Sequence, residues 1–402
     1  MTPKTPLALL WIALTLGLLS AVTGCEFPVR RMACTVAERG LIPDTPSPFP
    51  PVSAADRAQG PEGARVTFIA YLDPACRRSA ELHGVLTALQ AQYPAEVSVA
   101  VRLFPLQSLH YQSQLAAQAL EAADAQGQFW SMLALLFEQQ DLWNTMDPAR
   151  FEPALTELAA QLGLDAGRFA ADLGSEATLA RVEHAYDDAI ALGLSDTPAL
   201  AINGQYYEGP LDAWTLGATI ELLRLEAQQF HECPPLQAGA DKAPTATLHT
   251  TQGDIVIALL PEQAPLAVNN FIFLARQGWY DNVPFHRVIP ETFLQTGDPS
   301  GTGLGGPGYT FADELAPGAS FDQAGLVGMA GAATATGNKD HNGSQFFITY
   351  GPQPALDGQH TLFGRVIAGM DVAAKLTPRD PVTDPTDLPE PDRILSIEIS
   401  PP

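Results

Sequence analysis

The stretch CPPLQAGADKAPT, residues 233–245, separates two halves of the chain that are written in different patterns. Before it run alanine- and leucine-rich segments with apolar residues three and four apart. After it come short alternating apolar runs broken by glycines. Paired prolines, a glycine and no apolar periodicity propagate neither a helix nor a strand, so the stretch reads as a short linker between two domains. A chain of 402 residues can bury more than one core. A second proline-rich stretch, IPDTPSPFPPV, lies upstream and reads as an extended spacer. The expected order is a leader (1–24), a proline-rich tether (25–60), a first domain (61–232), a linker (233–244) and a second domain (245–402). No internal repeat is visible.

The leader has a single charge, Lys4, ahead of the apolar run PLALLWIALTLGLLSAVTG, and small residues precede Cys25. Charged start, apolar centre and small residues before a cut describe a secretory signal; the alternative is an uncleaved membrane helix, since the run is nearly long enough to span. The sequence VTGC resembles the bacterial lipobox, which implies that Cys25 becomes the lipid-bearing first residue and anchors the chain outside the cytoplasm, on the bacterial cell membrane. Removing Lys4 takes the net charge from −24 to −25. Such an acidic protein repels phosphates, so nucleic acid is not an expected partner, and a monomer is expected. With Cys25 committed to lipid, Cys34, Cys76 and Cys233 remain. Outside the cytoplasm an odd count implies one disulfide and one free thiol. Cys34 and Cys233, both at domain edges, are the candidates for the pair.

In the first domain ARVTFIAYL reads as a buried strand, ELHGVLTALQAQY as a helix and VSVAVRLFPL as a second strand. A helical stretch broken at several places runs from Ser113 to Leu192, and TPALAINGQYYEG reads as two strands turning at Asn-Gly. Strand, helix, strand, helical insert and hairpin make an α/β unit. YLDPACRRSAEL, VRLFPLQSLH, AQGQFWSMLALLF and SDTPALAINGQYYEG together resemble the thioredoxin fold in its DsbA-like branch. The resemblance implies a cis-proline at Pro198 and a nucleophilic cysteine at Cys76. Ser79 stands where the family has its resolving cysteine. A helix mouth beside Arg77 and Arg78 suits a reactive thiol, but the dithiol cycle cannot close without a thiol at 79. Binding of an extended peptide beside Pro198 is the expected use; the alternatives are monothiol chemistry at Cys76, with the second domain recruiting clients, and a non-catalytic holdase or scaffold. His110 is expected in a loop near this site.

The second domain opens with two alternating runs joined at TTQGD, continues with a helical segment over 264–277, and closes with RILSIEIS. Two helices on a mostly antiparallel set of strands suggest a closed β-barrel. PFHRVIP with QTGDP, then GSQFFITY, then LDGQHTLFGRV resemble, in that order, the cyclophilins. The resemblance implies catalysis of X-Pro isomerisation in proline-containing client polypeptides, with Arg287, Gln295, Gln345, Phe347 and His360 at the reaction and Phe293, Ala330, Leu356 and Phe285 seating the substrate. His286 is expected as a flanking barrel residue. The chemistry suits the residue types. Rotation about the prolyl bond crosses about 18–20 kcal/mol set by amide resonance, and a guanidinium aimed at the prolyl nitrogen weakens that resonance.

Three departures from the family pattern stand out: Thr292-Phe293 replaces Phe-Met, Gly331 replaces an asparagine, and Ala355 replaces a frequent tryptophan. An insertion, ATATGNKDH, lengthens the loop before the second motif. GTGLGG at 301–306 matches a dinucleotide fingerprint only on paper, because Pro307 follows at once and no helix opens there. The eight histidines show no ligand spacing. No cofactor and no metal are expected.

Overall fold

A computed structural model of the chain describes residues 30–37, 47–54, 56–237, 240–331, 342–383 and 388–401. The leader and the lipidation candidate Cys25 lie outside the described residues.

The first sheet has the order β2-β4-β3-β5-β6, formed by β2 (Arg57–Gln59), β3 (Val66–Leu72), β4 (Val97–Leu103), β5 (Ala199–Ile202) and β6 (Gln205–Tyr206). β3 runs parallel to β4 and antiparallel to β5. Its side chains alternate: Val66, Phe68, Ala70 and Leu72 enter the main core, while Ile69 and Tyr71 enter a smaller one on the other face. A strand covered on both faces must read as a nearly unbroken apolar run, as this one does. α1 (Arg77–Gln92) lays Leu82, Leu86 and Leu89 on the sheet, one turn apart. The insert consists of α2 (Ser113–Asp124), α3 (Phe129–Glu138), α4 (Gln140–Trp143), α5 (Pro148–Gln161), α6 (Ala166–Leu173) and α7 (Glu176–Ala191). α2 is buried on most of its surface, and five of its buried residues are alanines, which let neighbouring helices approach. Its one buried charge, Glu121, is paired with Arg57 at 2.7 Å and Arg181 at 2.9 Å, as an ion away from water must be. The Asn-Gly turn joins β5 to β6 with positive φ at both residues. α8 (Ala213–Glu226) ends the domain.

The second sheet has nine strands, all antiparallel, in the order β10-β11-β14-β13-β15-β8-β7-β16-β9. Its members are β7 (Thr245–Thr250), β8 (Gly253–Leu259), β9 (Val283–Pro284), β10 (Arg287–Ile289), β11 (Phe293–Thr296), β13 (Leu326–Met329), β14 (Phe346–Thr349), β15 (Leu362–Ala368) and β16 (Arg393–Ser400). The two end strands, β9 and β10, are separated in the chain by Phe285 and His286 alone, so the sheet curls round until its edges meet. α9 (Pro265–Arg276) packs against it and α10 (Met370–Ala373) lies near β8. The free N–H groups of Leu266 and Ala267 at the start of α9 donate to the two oxygens of Glu314. That carboxylate suits the positive helix end.

The tether departs from the spacer expected over 25–60. β1 (Thr35–Val36) pairs antiparallel with β12 (Tyr309–Thr310) of the second domain. Met32 is buried in the barrel core and Phe49 in the first domain. Residues 57–59 already belong to the first sheet as β2. The physical reason is that Met32 and Phe49 are large apolar side chains with a core to enter, which the proline content of the segment concealed. Cys34 and Cys233 are joined by a disulfide across a Cα–Cα distance of 5.6 Å. In the linker expected over 233–244, Ala240 is buried in the barrel core. The chain therefore touches the barrel, builds the first domain, and returns to the barrel beside its point of departure.

Candidate functional site

Strand register builds the barrel site. Arg287 on β10 faces Gln295 on β11, Gln295 faces Phe347 on β14, and Phe347 faces Gly328 on β13. Residues directly opposite one another share a sheet face, so one rung across four strands carries the charge, the amide and the ring. The glycine is required there, because a Cβ on Gly328 would lie 2.4 Å from the tip of the Phe347 ring. Two-residue periodicity adds Phe293 beside Gln295, and Gln345 beside Phe347.

Arg287 is held in place. Its Nε donates to Asp380 Oδ1 at 2.9 Å and Nη2 to Oδ2 at 3.4 Å. Its guanidinium carbon lies 5.2 Å from the centre of the Phe293 ring, a cation–π contact made by the aromatic that departs from the family pattern. Burial pushes the Asp380 carboxyl up, but hydrogen bonds from Arg287 and the Val382 N–H outweigh it, and the net shift is downward. Gln295 Nε2 donates to Gln345 Oε1 at 2.9 Å. Gln345 Nε2 donates in turn to the carbonyls of Gly303 and Gly305.

Beside these polar groups lies an apolar floor in which Phe347 packs with Phe321, Leu326 and Leu362, and Phe293, Ala330 and Leu356 are partly buried against it. His360 meets the Phe347 ring edge-on at 5.3 Å, and its Nδ1 donates to the Met329 carbonyl at 3.1 Å. The groove thus gathers Arg287, Gln295, Gln345, Phe347, His360, Phe293, Ala330 and Leu356. Phe285 does not join it: it is fully buried in the barrel core, because it lies between the two end strands and points inward. His286 is buried as well, and burial, its largest influence, pushes its pKa down to about 4 against an upward pull from Asp298. Residues 332–341, which carry the loop insertion, lie outside the described residues.

Sequence reasoning missed Asp380 and Phe321. Asp380 sits in LTPRDPVTD, a stretch without periodicity, and reaches Arg287 through an isolated bridge between Val288 and Arg379. Nothing in the local sequence signals that pairing.

The first domain holds a second constellation. Cys76 is the N-cap of α1, and the Thr197–Pro198 peptide is cis. The Cys76 thiol donates to the Thr197 carbonyl at 3.3 Å, and the residue is buried, with 7% exposure. A buried thiol with a backbone partner differs from the reactive one that a helix mouth beside Arg77 and Arg78 suits. Arg77 and Arg78 point to solvent, and Arg77 is turned toward Glu81 at 3.4 Å. Ser79 is fully buried, and its hydroxyl accepts from the Asp73 N–H at 3.2 Å. Asp73, also fully buried, accepts from the N–H groups of Ala75 and Leu106, from His110 Nδ1 at 2.8 Å and from the Ser113 hydroxyl. Leu109, Tyr111 and Leu142 are exposed. Gln140 and Asn144, which flank Leu142, donate to the carbonyls of Pro74 and Ala75. Among the described residues no group of three metal-ligating side chains occurs.

Two family profiles match the chain: "Cyclophilin type peptidyl-prolyl cis-trans isomerase/CLD" over residues 245–399 and "Thioredoxin" over residues 53–222. Peptidyl-prolyl cis-trans isomerase A of Mycobacterium tuberculosis is 46% identical over 173 residues, covering 39% of this chain and 92% of that protein. Peptidyl-prolyl cis-trans isomerase-like 1 of Gibberella zeae is 47% identical over 132 residues, covering 32% of this chain and 78% of that protein. Peptidyl-prolyl cis-trans isomerase 9 of Schizosaccharomyces pombe is 46% identical over 158 residues, and the chain spans only 25% of its length.

Proposed function

This chain belongs to the cyclophilin-type peptidyl-prolyl cis-trans isomerases, and from that premise we propose that it is a protein-folding factor held on an extracytoplasmic membrane face. Its clients are proline-containing polypeptides, and it acts as a monomer. One observation carries the enzymatic part: the single rung that sets Arg287, Gln295 and Phe347 side by side over an apolar floor.

The floor of Phe347, Phe293 and Leu356 seats the proline ring by burying apolar surface, worth about 25 cal/mol per Å². As the X-Pro bond twists, the prolyl nitrogen leaves conjugation and gains a lone pair. Arg287 donates toward that nitrogen, an interaction stronger in the twisted state than in either planar one, which is the condition for catalysis. Asp380 and the Phe293 ring keep the guanidinium from swinging away. The amides of Gln295 and Gln345 form a chain that can hold the substrate backbone while the carbonyl before the proline rotates. No bond is made or broken, and no cofactor enters.

For the thioredoxin-like domain we favour client binding over thiol chemistry. The buried Cys76 thiol and the hydroxyl at 79 both bond to the domain's own backbone, whereas Leu109, Tyr111 and Leu142 are exposed and offer apolar contact to an extended chain. Anchoring at Cys25 is supported by the signal-like leader. Fatty-acid labelling that is lost in Cys25→Ala tests it. Isomerisation of an X-Pro peptide by the full chain and by Arg287→Ala tests the enzymatic reading.

A further inference from the structure

The junction between the two domains is built into the isomerase groove. Gln345 depends on the carbonyls of Gly303 and Gly305, at 3.0 and 2.9 Å, for the orientation of its amide. Freezing a glutamine costs up to about 2 kcal/mol of rotamer freedom, so those two acceptors must themselves be fixed. They belong to the loop over 298–308, which has glycine at 301, 303, 305, 306 and 308. Such a composition fixes little by itself.

The loop is held from two sides, and its Gly308 carbonyl also accepts from the Ala37 N–H at 2.9 Å. From inside the barrel, the fully buried Asp298 accepts from the N–H groups of Ser300, Gly303 and Gly305 at 2.9, 2.8 and 3.0 Å. From outside, Gln229 Nε2 donates to the Gly306 carbonyl at 3.0 Å and the Phe230 N–H to the Pro307 carbonyl at 2.9 Å. The Phe230 ring packs on Phe273 and Trp279 with centroids 5.0 and 5.8 Å apart. The fit is close. A Cβ on Gly308 would lie 2.6 Å from the Phe230 carbonyl oxygen, and one on Gly305 would lie 2.6 Å from a Leu225 methyl. Leu225 ends a helix, α8, whose Leu216, Ile220 and Leu223 lie in the first domain's core, while Leu225 itself lies in the barrel core. One helix therefore joins the two cores and ends against the loop that orients Gln345.

We propose that Gln229 and Phe230 are positioning residues for isomerisation: seated on the loop over 303–308, they hold Gln345 in its working orientation, so the docking of the thioredoxin-like domain sets the efficiency of the isomerase. The inference rests on the isomerase reading of the groove and adds a role for the junction.

The test measures kcat and KM for an X-Pro peptide with the full chain. Phe230→Ala is expected to lower kcat/KM about fivefold and Gln229→Ala about twofold. Neither should lower it further in a Gln345→Ala background, because the coupling passes through that side chain. Equal losses in both backgrounds would mean general loosening of the barrel and would overturn the proposal. Full activity of both single variants would overturn it while leaving the isomerase reading intact. An inactive wild type overturns both. Should Phe230→Ala fail to fold, Gln229→Ala, which removes one partly exposed side-chain hydrogen bond, decides the matter by the same comparison.

Discussion

The two domains hold comparable sets of polar side chains and turn them in opposite directions. In the barrel, Arg287 and its partner Asp380 keep 29% and 18% of their side-chain surface exposed, and they line a groove. In the thioredoxin-like domain, Asp73, Cys76 and Ser79 are all buried and satisfied by neighbouring backbone and side chains. The first set is fixed yet presented, as a site must be to meet a substrate. The second is closed on itself, as a structural network is. Sharing one chain has not given the two sites one kind of chemistry.

The largest effect that would sharpen this contrast is on stability against pH. Each domain holds a histidine whose pKa is pushed below its ordinary value by loss of solvent, His286 in the barrel and His83 in the first domain. His286 is almost fully buried and shifted to about 4, whereas His83 is only partly buried. A histidine held neutral binds its proton more weakly folded than unfolded. For His286 that contribution is complete above about pH 6.5 and is lost as the pH falls through about 4. Acidification through that range therefore removes stability from the folded barrel. Thermal melts of the full chain between pH 7 and pH 4 should show the barrel's transition falling further than that of the first domain. Equal movement of the two transitions would remove the distinction.

Next comes the barrel's presented charge. Arg287→Ala should lower kcat/KM at least tenfold, about 1.4 kcal/mol of transition-state stabilisation, with Gln345→Ala losing less. An unchanged rate in a variant with native circular dichroism would overturn the assignment of Arg287. Asp380→Asn should cost about threefold, since the pair is partly exposed and such pairs contribute about 0.2–1 kcal/mol. The loss should fall mainly on kcat, because Asp380 steers the guanidinium rather than touching substrate. A change confined to KM would argue for a role in binding.

What the sequence revealed followed the same division. The barrel's groove was legible because its residues sit in short runs on neighbouring strands, where register brings motif to motif: FHR to QTGD and QTGD to SQFF. Phe285 was misplaced because adjacency to a motif says nothing about which face a residue takes, and a one-residue step reverses the face. Asp380 was hidden because its contact is long-range and rides on one isolated bridge. In the first domain the elements and the turn at Asn203-Gly204 were readable from periodicity and turn chemistry. The closure of the thiol was not, since the Thr197 carbonyl that receives it is distant in sequence and arrives only with the cis-Pro198 loop. The tether misled for a related reason: proline content suggested a spacer, but two large apolar residues, Met32 and Phe49, each found a core.

The smallest expected effect is the most direct test of the closed site. With Cys76 buried and its thiol donated to the Thr197 carbonyl, alkylation in the native protein should be slower than that of a free cysteine in a peptide, and denaturant should abolish the difference. Ser79→Cys supplies the missing thiol three residues on. The hydroxyl it replaces is fully buried against the Asp73 N–H, so the new thiol would be enclosed as well. A disulfide substrate reaches neither sulfur without displacing this network, and the variant should show no insulin-reducing activity beyond wild type. The arginines beside Cys76 do not change this, because both are exposed to solvent and Arg77 is turned toward Glu81. Fast alkylation of wild type, or turnover by Ser79→Cys, would show that the network opens readily. The serine alone would then separate this domain from a working oxidoreductase, and the two halves of the molecule would be more alike in chemistry than their burial implies.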